Sequence, residues 1–287
     1  MPTPLRALAA ALALATVLPA AADVTARRFT TSDGVSLNVL EAAPRGADGS
    51  TPVVALVPGW SMPASIWRGQ LATLGTRFRV LALDPRGQGD SDVPSGGYTL
   101  ARRAEDLADF LRAERRVVLV GWSLGALESL EFVRRHGEGK LAGLVLVDSS
   151  VGEPPAPRGS DFLDRLKKDR AAALDGFVRA IFRTPRTEAE IAALVAGALR
   201  LPPEAAVALL SYPVPREHWR AIARGVRAPL LYVVTPQFAR QAASLKRHRP
   251  GTEVAVFEDA GHALFVDEPE RFDAQLADFV TRAWGAK

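Results

Sequence analysis

The sequence predicts an α/β fold: a mostly parallel central sheet covered by helices on both faces, with a helical cap inserted over the mouth of the sheet. Three observations carry this. Short apolar runs alternate with helical patterns along most of the 287 residues. One apolar run passes straight into a helix through a glycine-flanked turn, Gly121-Trp122-Ser123-Leu124-Gly125. The alternation breaks once, over residues 152–225, where no convincing strand occurs.

Taken in order, residues 1–22 stand apart. One positive side chain, Arg6, precedes a small-apolar run over 7–18 that only Thr16 interrupts. Ala20-Ala21-Ala22 then offers a cleavage site before Asp23. This is the layout of a signal peptide, cut between Ala22 and Asp23, and it predicts export to the periplasm or the medium. The apolar run is short for a bilayer span, and no later segment is long and apolar enough. An uncleaved N-terminal anchor helix is the competing reading. The chain has no cysteine, which excludes disulfides and lipid attachment at the cleavage site. Stability must come from the core alone.

Residues 27–31 and 35–42 flank Ser32-Asp33-Gly34, a hairpin signal. Continuous apolar strands follow over 52–57, 79–84, 117–120, 144–148, 229–234 and 253–257, of the kind buried on both faces. Helical patterns over 66–74, 100–112, 124–135, 239–247 and 269–284 separate most of them. The chain therefore divides into a first core part (23–151), a helical cap (152–225) and a second core part (226–287). Within the cap, 161–182, 187–199, 203–210 and 215–223 read as helices. Its Phe162, Phe177, Phe182, Tyr212 and Trp219 either line an apolar pocket or form the cap's own core.

Apolar content is 48% and the formal net charge is +4. The arginines are scattered among acidic residues, so the surface is mildly basic and nucleic-acid binding is not expected. No His/Asp/Glu spacing suits a metal, no glycine-rich loop suits a phosphate, and no cofactor fingerprint occurs.

The pentapeptide around Ser123 carries the chemistry. A strand, G-x-S-x-G and a helix together make a nucleophile elbow, which presents serine at the sheet's C-terminal edge beside a helix N-terminus. A plain turn with an N-cap serine explains Ser123 but not both glycines. A serine hydroxyl needs a base, and a group to orient that base. Of four histidines, His136 ends a helix, His218 lies in the cap and His248 sits among arginines. His262 follows the last strand through Asp259-Ala260-Gly261, at the edge where Ser123 is presented, and is the candidate base.

Four motifs, Val57-Pro58-Gly59-Trp60, residues 84–91 (Asp-Pro-Arg-Gly-Gln-Gly-Asp-Ser), the elbow, and Gly261-His262-Ala263-Leu264-Phe265, give the chain its resemblance to a known superfamily. It resembles the α/β-hydrolase fold, most of all capped esterases, ring-cleavage-product hydrolases and cofactor-free haloperoxidase-type enzymes. The likeness covers nearly all of the chain after residue 22 outside the cap. It implies an oxyanion hole made by the backbone N–H groups of Leu124 and Trp60, no cofactor, and a structural role for residues 84–91.

Two departures from the family pattern stand out. Pro58-Gly59 replaces the usual His-Gly before Trp60. No carboxylate follows the strand at 230–234, where most relatives carry the acid that orients the histidine; here the chain reads Thr235-Pro236-Gln237-Phe238. Asp148, at the end of the strand after the elbow's helix, is the best substitute, with Glu153 second. Asp148 could instead only bond loop amides. Asp259 and Asp267 flank His262 in sequence but are expected to point away from its Nδ1.

Together these features predict an exported serine hydrolase with Ser123 as nucleophile, His262 as base and Asp148 as acid. The expected substrate is a small ester-like molecule of small to medium apolar size, held by Trp122, Phe162, Phe177, Tyr212 and Trp219. Thioester or amide hydrolysis, carbon–carbon cleavage or perhydrolysis on the same residues remains open. So does a non-catalytic binding protein whose triad has eroded. The sequence does not fix the oligomeric state.

Overall fold

The computed structural model describes residues 21–286. The expected signal peptide falls almost wholly outside the described residues.

Eight strands form one sheet in the order β1-β2-β4-β3-β5-β6-β7-β8. These are β1 (Thr25–Thr30), β2 (Ser36–Ala42), β3 (Val53–Val57), β4 (Arg79–Leu83), β5 (Val117–Trp122), β6 (Leu141–Val147), β7 (Leu230–Val234) and β8 (Thr252–Val256). β2 runs antiparallel to both neighbours, β1 and β4. Every other pair is parallel. The parallel strands are apolar throughout because both faces are covered. Val54, Leu56, Val118 and Val120 face one core, while Val53, Ala55, Val57, Val117 and Leu119 face the other.

The first face is packed by α1 (Arg68–Leu74) and α11 (Pro269–Gly285), with Trp67, Phe272, Leu276 and Phe279 between them and the sheet. The second is packed by α2 (Leu100–Phe110), α3 (Leu124–His136), α8 (Arg216–Gly225) and α9 (Ala239–His248). Caps set several of these ends. Thr99 accepts from the Arg102 amide at the start of α2, and α3 closes with Arg134, Arg135 and His136 in its last turn, where positive charge suits the helix dipole.

Between β6 and β7 lie only helices: α4 (Phe162–Lys168), α5 (Arg170–Ala180), α6 (Glu188–Leu199), α7 (Pro203–Leu210) and α8. The pattern over 161–182 predicts one helix, and the structure has two. Asp169 breaks it in an extended conformation (φ −146°, ψ 93°), and its carboxylate accepts from the Ala172 amide to cap α5. An aspartate between helical stretches competes for backbone donors in this way. A capping box, Thr187 with Glu190, starts α6. A further short helix, α10 (Leu264–Asp267), follows β8. Among the described residues, no single helix is long and apolar enough to cross a membrane.

These helices are tied to the sheet's C-terminal edge. The Trp60 indole N–H donates to Ala206 O in α7 at 2.9 Å, and Phe162 and Phe177 meet the same indole edge-on. The Ala263 amide donates to Ile181 O at 2.8 Å. Asp267 accepts from the Arg183 and Thr184 amides.

Candidate active site

Ser123 sits between β5 and α3 with φ 54° and ψ −119°, a left-handed, strained conformation for a residue with a side chain. The flanking glycines make this turn possible by close approach. A Cβ on Gly121 would lie 2.3 Å from Gly125 O, and one on Gly125 would lie 2.5 Å from Val57 O. No side chain fits between the helix start and β3, so β5, α3 and the loop after β3 converge on Ser123. The Ser123 amide donates to Val147 O at 2.9 Å, continuing the pairing of β5 with β6.

His262 comes from the loop after β8. Three bonds fix that loop: Gly261 N–H to Asp267 Oδ2 at 2.8 Å, Ala263 N–H to Ile181 O, and the Trp122 indole N–H to His262 O at 2.8 Å. The Trp122 ring lies 5.2 Å from the imidazole, centroid to centroid. Asp148 follows β6 with φ 42°, and its amide donates to Val233 O at 2.8 Å.

These three side chains form a continuous chain. Ser123 Oγ lies 2.9 Å from His262 Nε2, and His262 Nδ1 lies 2.8 Å from Asp148 Oδ2. Asp148 is buried, while the imidazole is a quarter exposed. A carboxylate only accepts, so Nδ1 carries the ring proton and Nε2 is left to accept from the serine hydroxyl. Asp148 Oδ1 accepts from the Thr235 amide at 2.7 Å and the Thr235 hydroxyl at 2.8 Å. The loop after β7, which holds no carboxylate of its own at 235–238, thus supplies two donors to Asp148. Burial, reinforced by the neighbouring Asp148 charge, pushes the Tyr232 phenol well above its ordinary pKa. It stays neutral and donates to Ser149 O, bracing the backbone beside Asp148.

The loop after β3 lies against Ser123: a Cβ on Gly59 would be 3.1 Å from the Ser123 Cβ. Neither the Trp60 nor the Leu124 amide donates to a protein acceptor among the described residues. Leu124 opens α3, where amides point outward without intrahelical partners. Two unshielded donors beside a serine can hold an oxyanion.

A cavity of about 320 Å³ opens on Ser123 and His262. Trp60, Leu124, Leu127, Leu209, Leu210, Tyr212, Trp219 and Phe238 form its apolar wall, and Ser149 and Ser150 lie beside Asp148. Tyr212 and Trp219 thus line the cavity as the sequence suggests. Trp122, Phe162 and Phe177 do not. Trp122 is buried beneath His262, where it packs on Trp67 and Phe265. Phe162 and Phe177 spend their surface on each other and on Trp60. Their apolar bulk is satisfied behind the wall rather than on it.

The other candidates are engaged elsewhere. Glu153 is bonded to Arg224 and Ser244. Asp267 accepts from four groups of the 181–184 and 261 backbone and Thr184. His136 faces Glu105, His218 faces Glu131, and His248 meets Ser244 O. Sequence reasoning overlooks Leu127, Leu209, Leu210 and Phe238 as lining residues. Leu127 is detectable, since it stands one helical step from Leu124 on α3. Phe238 lies in the acid-less loop, where nothing in the pattern marks it.

A sequence profile described as "Alpha/beta hydrolase family" matches residues 54–275. The chain belongs to the alpha/beta hydrolase family. Among relatives of this hydrolase, a pimeloyl-(acyl-carrier protein) methyl ester esterase of Aromatoleum aromaticum is 31% identical over 253 residues, covering 80% of this chain and 98% of that one. A non-heme chloroperoxidase of Streptomyces lividans is 40% identical over 135 residues, 46% of each chain. The solved structure of an esterase from Exiguobacterium antarcticum superposes with a TM-score of 0.77 at 21% identity, covering 88% of this chain and 98% of that one. That likeness is one of fold.

Proposed function

We propose that this α/β-hydrolase is a serine esterase that cleaves carboxylic esters of small to medium apolar acids or alcohols through an acyl-enzyme. The continuous chain from Ser123 through His262 to Asp148 carries this reading. Ser123 Oγ attacks the ester carbonyl carbon as His262 Nε2 takes its proton. The carbonyl π pair moves onto oxygen, and the Trp60 and Leu124 amides hold that oxyanion. Collapse expels the alkoxide, which leaves as alcohol with the proton from His262. Water, deprotonated by the same imidazole, then attacks the acyl carbon and frees the acid and Ser123. Asp148 keeps Nδ1 protonated and balances the imidazolium throughout.

The substrate class rests on the wall of the cavity, which offers no cationic side chain to pair with a charged acyl group. The esterase relative supports the reaction class. Residues 152–225 are read as a cap over the site and residues 1–22 as an export signal. The N-terminal residue of protein recovered from the producing cells' periplasm or medium tests the latter, with Asp23 expected.

Fluorophosphonate labelling and p-nitrophenyl ester hydrolysis test the reaction together. Wild type is expected to label rapidly and turn over. Ser123→Ala should lose both, and His262→Ala and Asp148→Asn should be strongly slowed. A folded wild type that neither labels nor hydrolyses any ester from acetate to octanoate would overturn the reading in favour of a binding protein.

A further inference from the structure

Residues 84–91 read as architecture, and most of them are. Arg86 is bound by Asp106 and Asp33, and Asp84 accepts from Asn38, Ala64 and Asp90. Gln88 is different. Its side chain is fully buried and reaches into the loop that follows β3. Its amide Nε2 donates to Gly59 O at 3.2 Å and to Met62 O at 2.8 Å. Both partners are carbonyls, so the NH₂ must face them and Oε1 must face away. Oε1 is buried without a partner.

Gly59 and Met62 are the two ends of one turn, closed by the Met62 amide donating to Gly59 O at 3.2 Å. Trp60 and Ser61 are its central residues. Ser61 has φ 58°, a left-handed value that a side chain disfavours, and its hydroxyl is buried without a partner. This turn is strained and needs external restraint. Gln88 clamps it at both ends. The clamp also has a direct electronic link to the site. Gly59 C=O and Trp60 N–H belong to the same planar peptide and point opposite ways. Fixing the carbonyl fixes the aim of the N–H, and donation to the carbonyl oxygen polarises the peptide and strengthens the N–H as a donor.

We propose that Gln88 is a positioning residue for the oxyanion hole, acting through the Gly59–Trp60 peptide. The backbone at Gln88 is itself held by Gln88 N–H to Pro85 O and Ser91 N–H to Gln88 O, so the clamp is anchored to the sheet through β4. The split between kcat and KM, and the response to a ketone that forms the oxyanion, separate this role from a structural one.

The inference rests on the serine-esterase reading, so Ser123→Ala is measured beside Gln88→Met and Gln88→Glu. The readouts are kcat and KM for p-nitrophenyl acetate, the inhibition constant of a trifluoromethyl ketone, and Tm. The ketone forms a tetrahedral oxyanion on the serine and so reports the hole directly. Gln88→Met is expected to lower kcat and ketone affinity by a common factor of about 10 to 100, with KM nearly unchanged, in a protein still fully folded at the assay temperature although its Tm falls because Met62 O loses its donor. Gln88→Glu sets carboxylate oxygens against two carbonyls and should lose at least as much. Wild-type ketone affinity in either variant, or losses that only track a fallen Tm, would overturn the proposal. Activity surviving in Ser123→Ala would instead sink the esterase reading beneath it.

Discussion

Thr235 donates twice to Asp148, from its backbone amide and from its hydroxyl, and both bonds fall on the carboxylate oxygen that His262 leaves free. Thr235 follows β7 and Asp148 follows β6, so the two bonds tie neighbouring strand ends together beside His262. Thr235→Val keeps the amide bond and removes the hydroxyl bond. A hydrogen bond to a charged group contributes about 1.5–3 kcal/mol, so kcat is expected to fall roughly tenfold or more. Asp148→Asn should fall by about four decades, because the wrong histidine tautomer results. Equal kcat in wild type and Thr235→Val, by steady-state ester hydrolysis, would count against the coupling.

Asp273 on α11 is buried, and burial pushes its pKa from 3.8 to about 6 despite a bond from Gln70. Below about pH 4 the group is protonated in both folded and unfolded states, and it is indifferent. Between about 4 and 6 the folded state binds more protons, so stability falls as pH rises through this window. The loss is about 3 kcal/mol at 1.36 kcal/mol per pH unit. Asp273→Asn keeps an acceptor for Gln70 and should abolish that slope, raising Tm at pH 7.5 but not at pH 4. Thermal melts of both proteins at the two pH values check the sign.

Arg103 and Glu128 form a pair that is almost fully buried between α2 and α3, and the Tyr212 hydroxyl rests on the same carboxylate. Removing one charge strands the other. Glu128→Gln is expected to cost about 3–5 kcal/mol, which denaturant unfolding would read as a lowered midpoint. The double replacement Arg103→Met with Glu128→Leu should recover most of that loss, since two apolar groups avoid the desolvation. A single variant as stable as wild type contradicts the arrangement.

Leu210 lies on the rim of the cavity, partly exposed. Leu210→Trp adds bulk where an acyl chain enters without touching Ser123 or His262. Activity on p-nitrophenyl acetate should stay within about twofold, while hydrolysis of the octanoate should drop about tenfold or more, the scale on which a hydrophobic pocket discriminates by size. Parallel losses on both esters would place the substrate elsewhere.

Much of this site is legible in the residues. The strands announce themselves because both faces are buried, and the elbow because glycines at 121 and 125 are forced by backbone contact. Ser123 and His262 follow from their places at strand ends. Asp148 is reached by asking which carboxylate shares their edge. Less is legible where a side chain's direction decides. Phe162 and Phe177 carry the same apolar signal as Trp219, yet they turn toward Trp60 and away from the cavity. Asp169 divides a helix by capping the second half, a choice that depends on local bonds rather than on periodicity. Gln88 sits within a motif dominated by turn glycines, and only the folded chain brings its amide to Gly59 and Met62.

Trp60 belongs to two structures at once. Its backbone belongs to the loop that packs against Ser123, while its indole is gripped by Ala206, Phe162 and Phe177 from the helices above. Any displacement of α7 must either break that grip or carry Trp60 with it. For as long as the indole is held, the position of these helices and the shape of the loop beside Ser123 are set together.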